Sequence, residues 1–295
     1  MFRDAYERVS KFTFPVVQIA LTVAGKCTAG PAAFIVVNAD GWIVTAAHVM
    51  TAGVGIVTSD REARAWEQQR DSIRADQTIN AKERSKKLDA LGKINKNAIR
   101  RGTCVWGGFQ GSVTLRDVSI LNEADLAVGR LDGFNANWVT EYPVFKDPNV
   151  NFRPGASLCK LGYPFCEMTP TFDEATSRFD LPQNQRVIPF FPIEGIFTRN
   201  ITVTQPQGTQ PFPMLFIETS SPGLRGQSGG PTFDTDGKIW AIQSQTRHLP
   251  LGFSPEVKHG GQTQKEHQFL NVGMGVHVQT VIGFLNQLGI QHTVA

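Results

Sequence analysis

The chain has 295 residues, 41% of them hydrophobic and 19% charged, with a net charge of +3. That supports a sizeable core in two adjoining lobes, and 28 glycines suit many tight turns. No stretch approaches the roughly 18 apolar residues of a membrane span, and four cysteines in this length exclude a disulfide-stapled scaffold.

In chain order, Phe14 to Ala24 is apolar but interrupted by Gln18 and Thr22, and Lys26-Cys27 is no small-residue cleavage site. It reads as a first β-strand. Short β runs follow at Phe34 to Val37 and Trp42 to Thr45, the second ending in Ala46-Ala47-His48, where small residues allow close packing around an imidazole. The pattern then changes. From about Ser59 to Arg101 the chain has no Pro, almost no Gly, and many Glu, Gln, Lys, Arg and Ala, which predicts a helical hairpin inserted between β segments. Ser59-Asp60 offers an N-cap, Trp66 and Ile73 share a face, and Leu88, Leu91 and Ile94 recur at helical spacing after a break at Thr78-Ile79-Asn80. Lys and Arg outnumber Asp and Glu by 12 to 7 from Asp60 to Arg101, whereas the remainder is net −2. Charges of both signs alternate there, so a solvated face with i,i+4 pairs such as Glu83-Lys87 is favoured over nucleic-acid binding. Docking of a regulatory protein, or shielding of a cleft, is the functional reading of the insert.

β runs resume at Leu126 to Leu131, Ser157 to Gly162, Met214 to Glu218 and Lys238 to Gln243. Strands this short with turn signals between them argue for an all-β fold of antiparallel barrels. Phe165 to Ile201, with Pro170, Pro182, Pro189 and Pro192, reads as a long loop that either covers a cleft or packs its aromatics on a lobe. His248 to Gln268 reads as an exposed loop, and Val276 to Leu288, before Gly289, as a C-terminal helix.

Three short segments carry chemistry. Gly226-Gln227-Ser228-Gly229-Gly230-Pro231 flanks a small nucleophile with residues free to take positive φ, so that amide N–H groups can converge beside the hydroxyl. A serine needs a base and the base needs an orienting carboxylate. His48 and Asp125, the latter opening Ala124-Asp125-Leu126-Ala127, are the candidates. Asp117 and Asp132 are weaker rivals, the first lacking the small residue in front and the second opening a turn.

With Phe34 to Val37, Asp40 to His48, Gly162-Tyr163-Pro164 and the His, Asp, Ser order, these segments resemble the trypsin-like (chymotrypsin-fold) serine peptidases, in the bacterial, disulfide-free branch that includes the HtrA-type proteases. The resemblance implies a single peptidase domain over 1–295 with two six-stranded antiparallel barrels, residues 1–140 (with the insertion) and 141–295. It implies His48 as general base, Asp125 as its partner, Ser228 as nucleophile, and the N–H groups of Gly226 and Ser228 as oxyanion hole. It places Pro222, Gly223 and Leu224, then Ser244, Gln245 and Thr246, then Gly275 and His277 around the primary substrate pocket, with substrate pairing along Ser244 and Thr246. Pro222 stands where Lys- or Arg-specific relatives have an aspartate, so small or apolar residues before the cut are expected; for His277 a structural hydrogen bond at the pocket base is favoured over polar contacts to substrate. Gln227 stands where zymogen-derived relatives have an aspartate that pairs with a freed N-terminus, so any regulation follows another route.

Cys27, Cys104, Cys159 and Cys166 read as free thiols. The spacing of Cys159 and Cys166 matches no zinc pattern, so no metal or cofactor is expected. Few cysteines point to a reducing, cytoplasmic setting. The expected partner is a protein or peptide substrate. A peptidase-fold binding protein with an idle site is the alternative. An α/β-hydrolase is disfavoured by Pro231 and by the residue order.

Overall fold

The structure is a computed structural model that describes residues 1–202, 210–259 and 262–295. Among these residues it is mostly β, with two barrel-like sheets and four α-helices. The first half holds α1 (Arg3–Val9), β1 (Thr13–Thr22), β2 (Cys27–Val36), β3 (Trp42–Ala46), α2 (Ala47–Ala75), α3 (Ala81–Leu91), β4 (Ile99–Trp106), β5 (Thr114–Leu121) and β6 (Leu126–Asp132). Its strands form one antiparallel sheet in the order β4-β1-β2-β3-β6-β5. The central strand β3 is buried at every position after Trp42 because it pairs with β2 on one edge and β6 on the other. Phe34, Ile43, Val44, Leu126 and Val128 pack inside, each burial contributing ~1.5–3 kcal/mol.

The second half holds β7 (Val144–Phe145), β8 (Ser157–Lys160), β9 (Thr171–Asp173), β10 (Arg178–Asp180), β11 (Ile193–Thr202), β12 (Leu215–Thr219), β13 (Pro231–Phe233), β14 (Ile239–Pro250), β15 (Glu256–His259), β16 (Gln262–Lys265), β17 (Phe269–His277), α4 (Val278–Gln287) and β18 (Thr293–Val294). Strands β13-β8-β11-β12-β17-β14 form a ring that closes because β13 also pairs with β14. The short strands β7 and β18 extend it from β14. One apolar cluster runs through both sheets, and the hydroxyl of buried Tyr163 donates to Thr13 O at 3.1 Å across the junction.

The helical insertion begins earlier than its composition indicates. Helix α2 starts at Ala47, straight out of β3, so His48 lies in its first turn and Ser59-Asp60 is helix interior rather than an N-cap. Gly53 does not break it, being buried against Cys104 Sγ. Burial alone would raise the Glu67 carboxyl, but hydrogen bonds from Arg101 and Arg100 hold it below the usual carboxylate range and tie α2 to β4. A capping box at Asn80 and Glu83 starts α3, so Glu83 turns back to the Asn80 N–H instead of pairing with Lys87. Helix α3 ends at Leu91, before Ile94, and 99–101 is already strand β4. The region 165–201 is less irregular than expected: it contains the β9–β10 hairpin and most of β11, while Phe190 stacks on Tyr163 and Phe191 stays exposed. The segment 248–268 likewise carries the end of β14 and the β15–β16 hairpin, whose tip at 260–261 lies outside the described residues. Among the described residues no helix is long and apolar enough to cross a membrane.

His277, expected at the primary pocket, makes a structural hydrogen bond. It is 2% exposed, lies against Phe152, and its Nδ1 accepts the Gln279 N–H as the N-cap of α4. Burial pushes its pKa down to about 4, from 6.5. The unfolded chain takes up this proton near 6.5 and the folded chain only near 4, so folding stability falls as pH drops through that window. The loss attributable to His277 should be at most about 3 kcal/mol. His277→Asn keeps a capping acceptor without the titration, so urea unfolding from about pH 7 to about pH 4 should show a shallower decline in the variant.

Candidate active site

Asp125 follows a 3₁₀ turn, Asn122–Ala124, and has φ of 50°, a left-handed conformation that aspartate tolerates better than most residues. This turn carries it to the start of α2, whose N-cap, Ala46, has no side chain able to cap. Asp125 supplies the missing acceptors. Its backbone oxygen takes the Ala47 N–H at 3.0 Å and its carboxylate takes the His48 N–H at 2.9 Å. An anion there also meets the positive end of the helix dipole. The same carboxylate lies 2.9 and 3.1 Å from His48 Nδ1 and accepts the Ser244 hydroxyl at 2.5 Å. Burial pushes the carboxyl upward, but the bonds from His48 and Ser244 outweigh it, and its pKa lies below the ordinary value. A carboxylate only accepts, so Nδ1 carries a proton, and Nε2 is the ring nitrogen of the half-exposed imidazole that Asp125 does not engage. The rival acids are placed elsewhere: Asp117 is exposed at a bulge in β5, and Asp132 pairs with Arg116 at 2.8 Å.

The serine loop needs glycine at three places, at Gly230 because a Cβ would fall 2.1 Å from Leu161 O. Gly226 has φ of 99° and a Cβ there would fall 2.3 Å from Tyr163 O; Gly229 has φ of 83° and a Cβ would fall 2.1 Å from both Ala33 O and Thr45 Oγ1. Gly229 therefore lets the loop settle onto the first barrel, where Ser228 O accepts the Ala33 N–H at 2.9 Å. Gln227 is fully buried and closes the loop from inside: its Oε1 accepts the Leu224 N–H at 3.0 Å and its Nε2 donates to Phe191 O at 3.2 Å. The N–H groups of Gly226 and Ser228 donate to no acceptor among the described residues. The Ser228 hydroxyl donates to Ser244 O at 3.4 Å, and among the described residues it makes no hydrogen bond to His48.

The remaining expected residues divide into three groups. Pro222 to Leu224 and Ser244 to Thr246 face one another, joined by a hydrogen bond from Thr246 Oγ1 to Gly223 O of 2.5 Å. Gly275 turns toward Ala241, whereas Gly273, two residues earlier, faces Ser221 O. His277 caps α4 as described. Two residues here were not read from the sequence as functional. Gln243 is buried beside Gly223, and Lys160 lies beneath the 221–222 segment, its Nζ donating to Thr219 Oγ1 at 3.0 Å, Ser221 O at 2.5 Å and Pro222 O at 2.9 Å. Burial pushes the Lys160 pKa down to about 7. A lysine inside the otherwise apolar run Leu158-Cys159-Lys160-Leu161 was the available signal. An open cleft of ≈ 710 Å³ lies beside His48 and Asp125, walled by Phe216, Ile201, Met274 and Arg247. The four cysteines are free, and burial raises the thiol pKa of each.

Because Asp125 also caps α2, Asp125→Ala should lower stability by about 1 kcal/mol in urea unfolding, and Asp125→Asn, which keeps an acceptor, by less.

A family model described as the trypsin-like peptidase domain matches residues 33–242. No curated protein sequence matches the chain. Among solved structures, the chain is similar to the Rv3671c protease from M. tuberculosis in its active form, at 12% identity and a TM-score of 0.49, over 99% of this chain and 86% of that one. It is also similar to an HtrA-type protease, AlgW, solved with a tripeptide, at 13% identity and a TM-score of 0.49, over 99% of this chain but 64% of the other. The family match spans most of the chain, from β2 to β14, and includes all three chemistry-bearing segments; the chain belongs to the trypsin-like peptidases.

Proposed function

We propose that this chain is a serine endopeptidase acting on protein or peptide substrates in the cytoplasm. Ser228 attacks the scissile carbonyl while His48 Nε2 takes the hydroxyl proton, and the acyl-enzyme forms as His48 returns that proton to the leaving amine. Asp125 holds the imidazole tautomer and stabilises the imidazolium, with Ser244 fixing the carboxylate. The N–H groups of Gly226 and Ser228 receive the oxyanion. The observation that carries this reading is the serine loop with its two N–H donors unengaged among the described residues, linked through Ser244 to the Asp125 carboxylate that holds His48 Nδ1. Catalysis requires the Ser228 hydroxyl to turn from Ser244 O to His48 Nε2.

That resting hydrogen bond favours a second reading, a peptidase-fold binding protein whose site stays idle. A fluorophosphonate probe separates the two. The wild type should be labelled and Ser228→Ala should not; an unlabelled, folded wild type would support the idle site. Ser228→Ala and His48→Ala should each lower kcat on a peptide substrate by roughly 10⁴-fold or more.

Regulation, in this proposal, does not use a freed N-terminus, because Gln227 closes the serine loop on groups inside the chain. The α3 hairpin is the proposed docking surface for a regulatory protein: α3 buries none of its residues and its Lys82, Lys86 and Lys87 add to the basic excess. Residues 77–96 can be replaced by a short linker without touching the Glu67 tie to β4. That variant should hydrolyse a short peptide normally and lose regulated complex formation; if neither hydrolysis nor complex formation changed, the docking role would be wrong.

A further inference from the structure

We propose that Gln243 and Thr246 are specificity-determining residues that limit the residue on the acyl side of the cleaved bond to glycine or alanine. This rests on the serine peptidase reading above.

The acyl carbonyl has to reach both Ser228 Oγ and the N–H groups of Gly226 and Ser228. Ser244 O lies 3.4 Å from Ser228 Oγ, so the strand edge running from Ser244 to Thr246 begins at the nucleophile. A substrate paired along that edge sends the side chain next to the carbonyl into the gap between Ser244–Thr246 and Pro222–Leu224.

That gap is already occupied. Thr246 Oγ1 donates to Gly223 O at 2.5 Å, so a single side chain spans it. Gln243, 2% exposed, lies inside, with Nε2 donating to Gln245 O and Met274 O, both at 3.1 Å. The fit is tight enough that a Cβ on Gly223 would fall 2.1 Å from Gln243 Nε2 and 3.3 Å from Thr246 Oγ1. Nor does the space deepen underneath. Lys160 Nζ holds Ser221 O and Pro222 O from below, and a Cβ on Gly273 would fall 2.7 Å from that same nitrogen. Admitting a leucine or phenylalanine side chain would require the Gln243 amide to leave both of its buried acceptors and the Thr246 bridge to break. Glycine and alanine ask for neither.

The test is a series of peptidyl aminomethylcoumarins identical except at the residue before the coumarin, taken as Gly, Ala, Ser, Val, Leu, Phe, Arg and Glu, with fluorophosphonate labelling of the same preparation. For the wild type, Gly and Ala should lead, with kcat/KM for Leu and Phe lower by roughly 100-fold. Gln243→Ala and Thr246→Ala should each raise Leu and Phe relative to Ala by about tenfold. The wild-type profile decides even where a variant fails to fold. Cleavage after Leu, Phe or Arg as fast as after Ala would overturn the assignment, as would folded variants with an unchanged profile. Labelling at Ser228 with no turnover of any member would also count against the specificity assignment alone. Absence of both labelling and turnover would refute the catalytic reading and this assignment with it.

Discussion

The contact between Asp125 and the first turn of α2 is the constraint on which the site depends. Helix α2 leaves β3 without a capping side chain, and the orphan N–H groups of Ala47 and His48 are satisfied by the backbone and carboxylate of one aspartate 77 positions away from His48. The same carboxylate orients the imidazole and accepts a hydroxyl from Ser244 on β14 of the other barrel. One side chain thus starts a helix, fixes a tautomer and joins two lobes. Three demands on one group leave it little freedom to move without disturbing all of them.

The second barrel meets this arrangement through glycine. Gly229 brings the serine loop within hydrogen-bonding distance of β2, and Gly226 lets the loop turn under Tyr163. Around it the interior is unusually polar, with Gln227, Gln243, Thr219 and Lys160 all buried. Each has a partner in the serine loop or its facing walls, which is the condition for burying polar groups at tolerable cost. The loop and the pocket walls are therefore shaped by a hydrogen-bond network rather than by apolar packing alone.

How much of this was legible follows from the range of the interactions. The strands around Val44, Val128 and Phe216 announce themselves because each residue's burial shows in its own neighbours' apolar character. The segments holding His48, Asp125 and Ser228 were legible for a similar reason, since small residues and glycines adjacent in sequence set their local backbone. The start of α2 was hidden because Trp42 to Ala47 is β-like in composition and the helix begins on a cap supplied from β6's leading turn. Helix α1 was missed because seven residues carry too little periodicity. Gln243 reaches Met274, 31 positions away, as well as nearby Gln245, and Lys160 reaches Thr219, 59 positions away; no local pattern marks such contacts. His277 was legible in kind but not in detail: a structural hydrogen bond was the favoured reading, and its partner proves to be the start of a helix two residues on.

The closure of the serine loop by Gln227 depends on groups of its own lobe alone. Its two partners, Leu224 N and Phe191 O, are backbone groups that are in place as soon as the second barrel has folded. An amide has no proton to gain or lose over the physiological range and no ion partner to wait for. The loop therefore closes on neutral partners that its own lobe supplies, and the backbone around Ser228 takes its shape in the same event that completes that lobe.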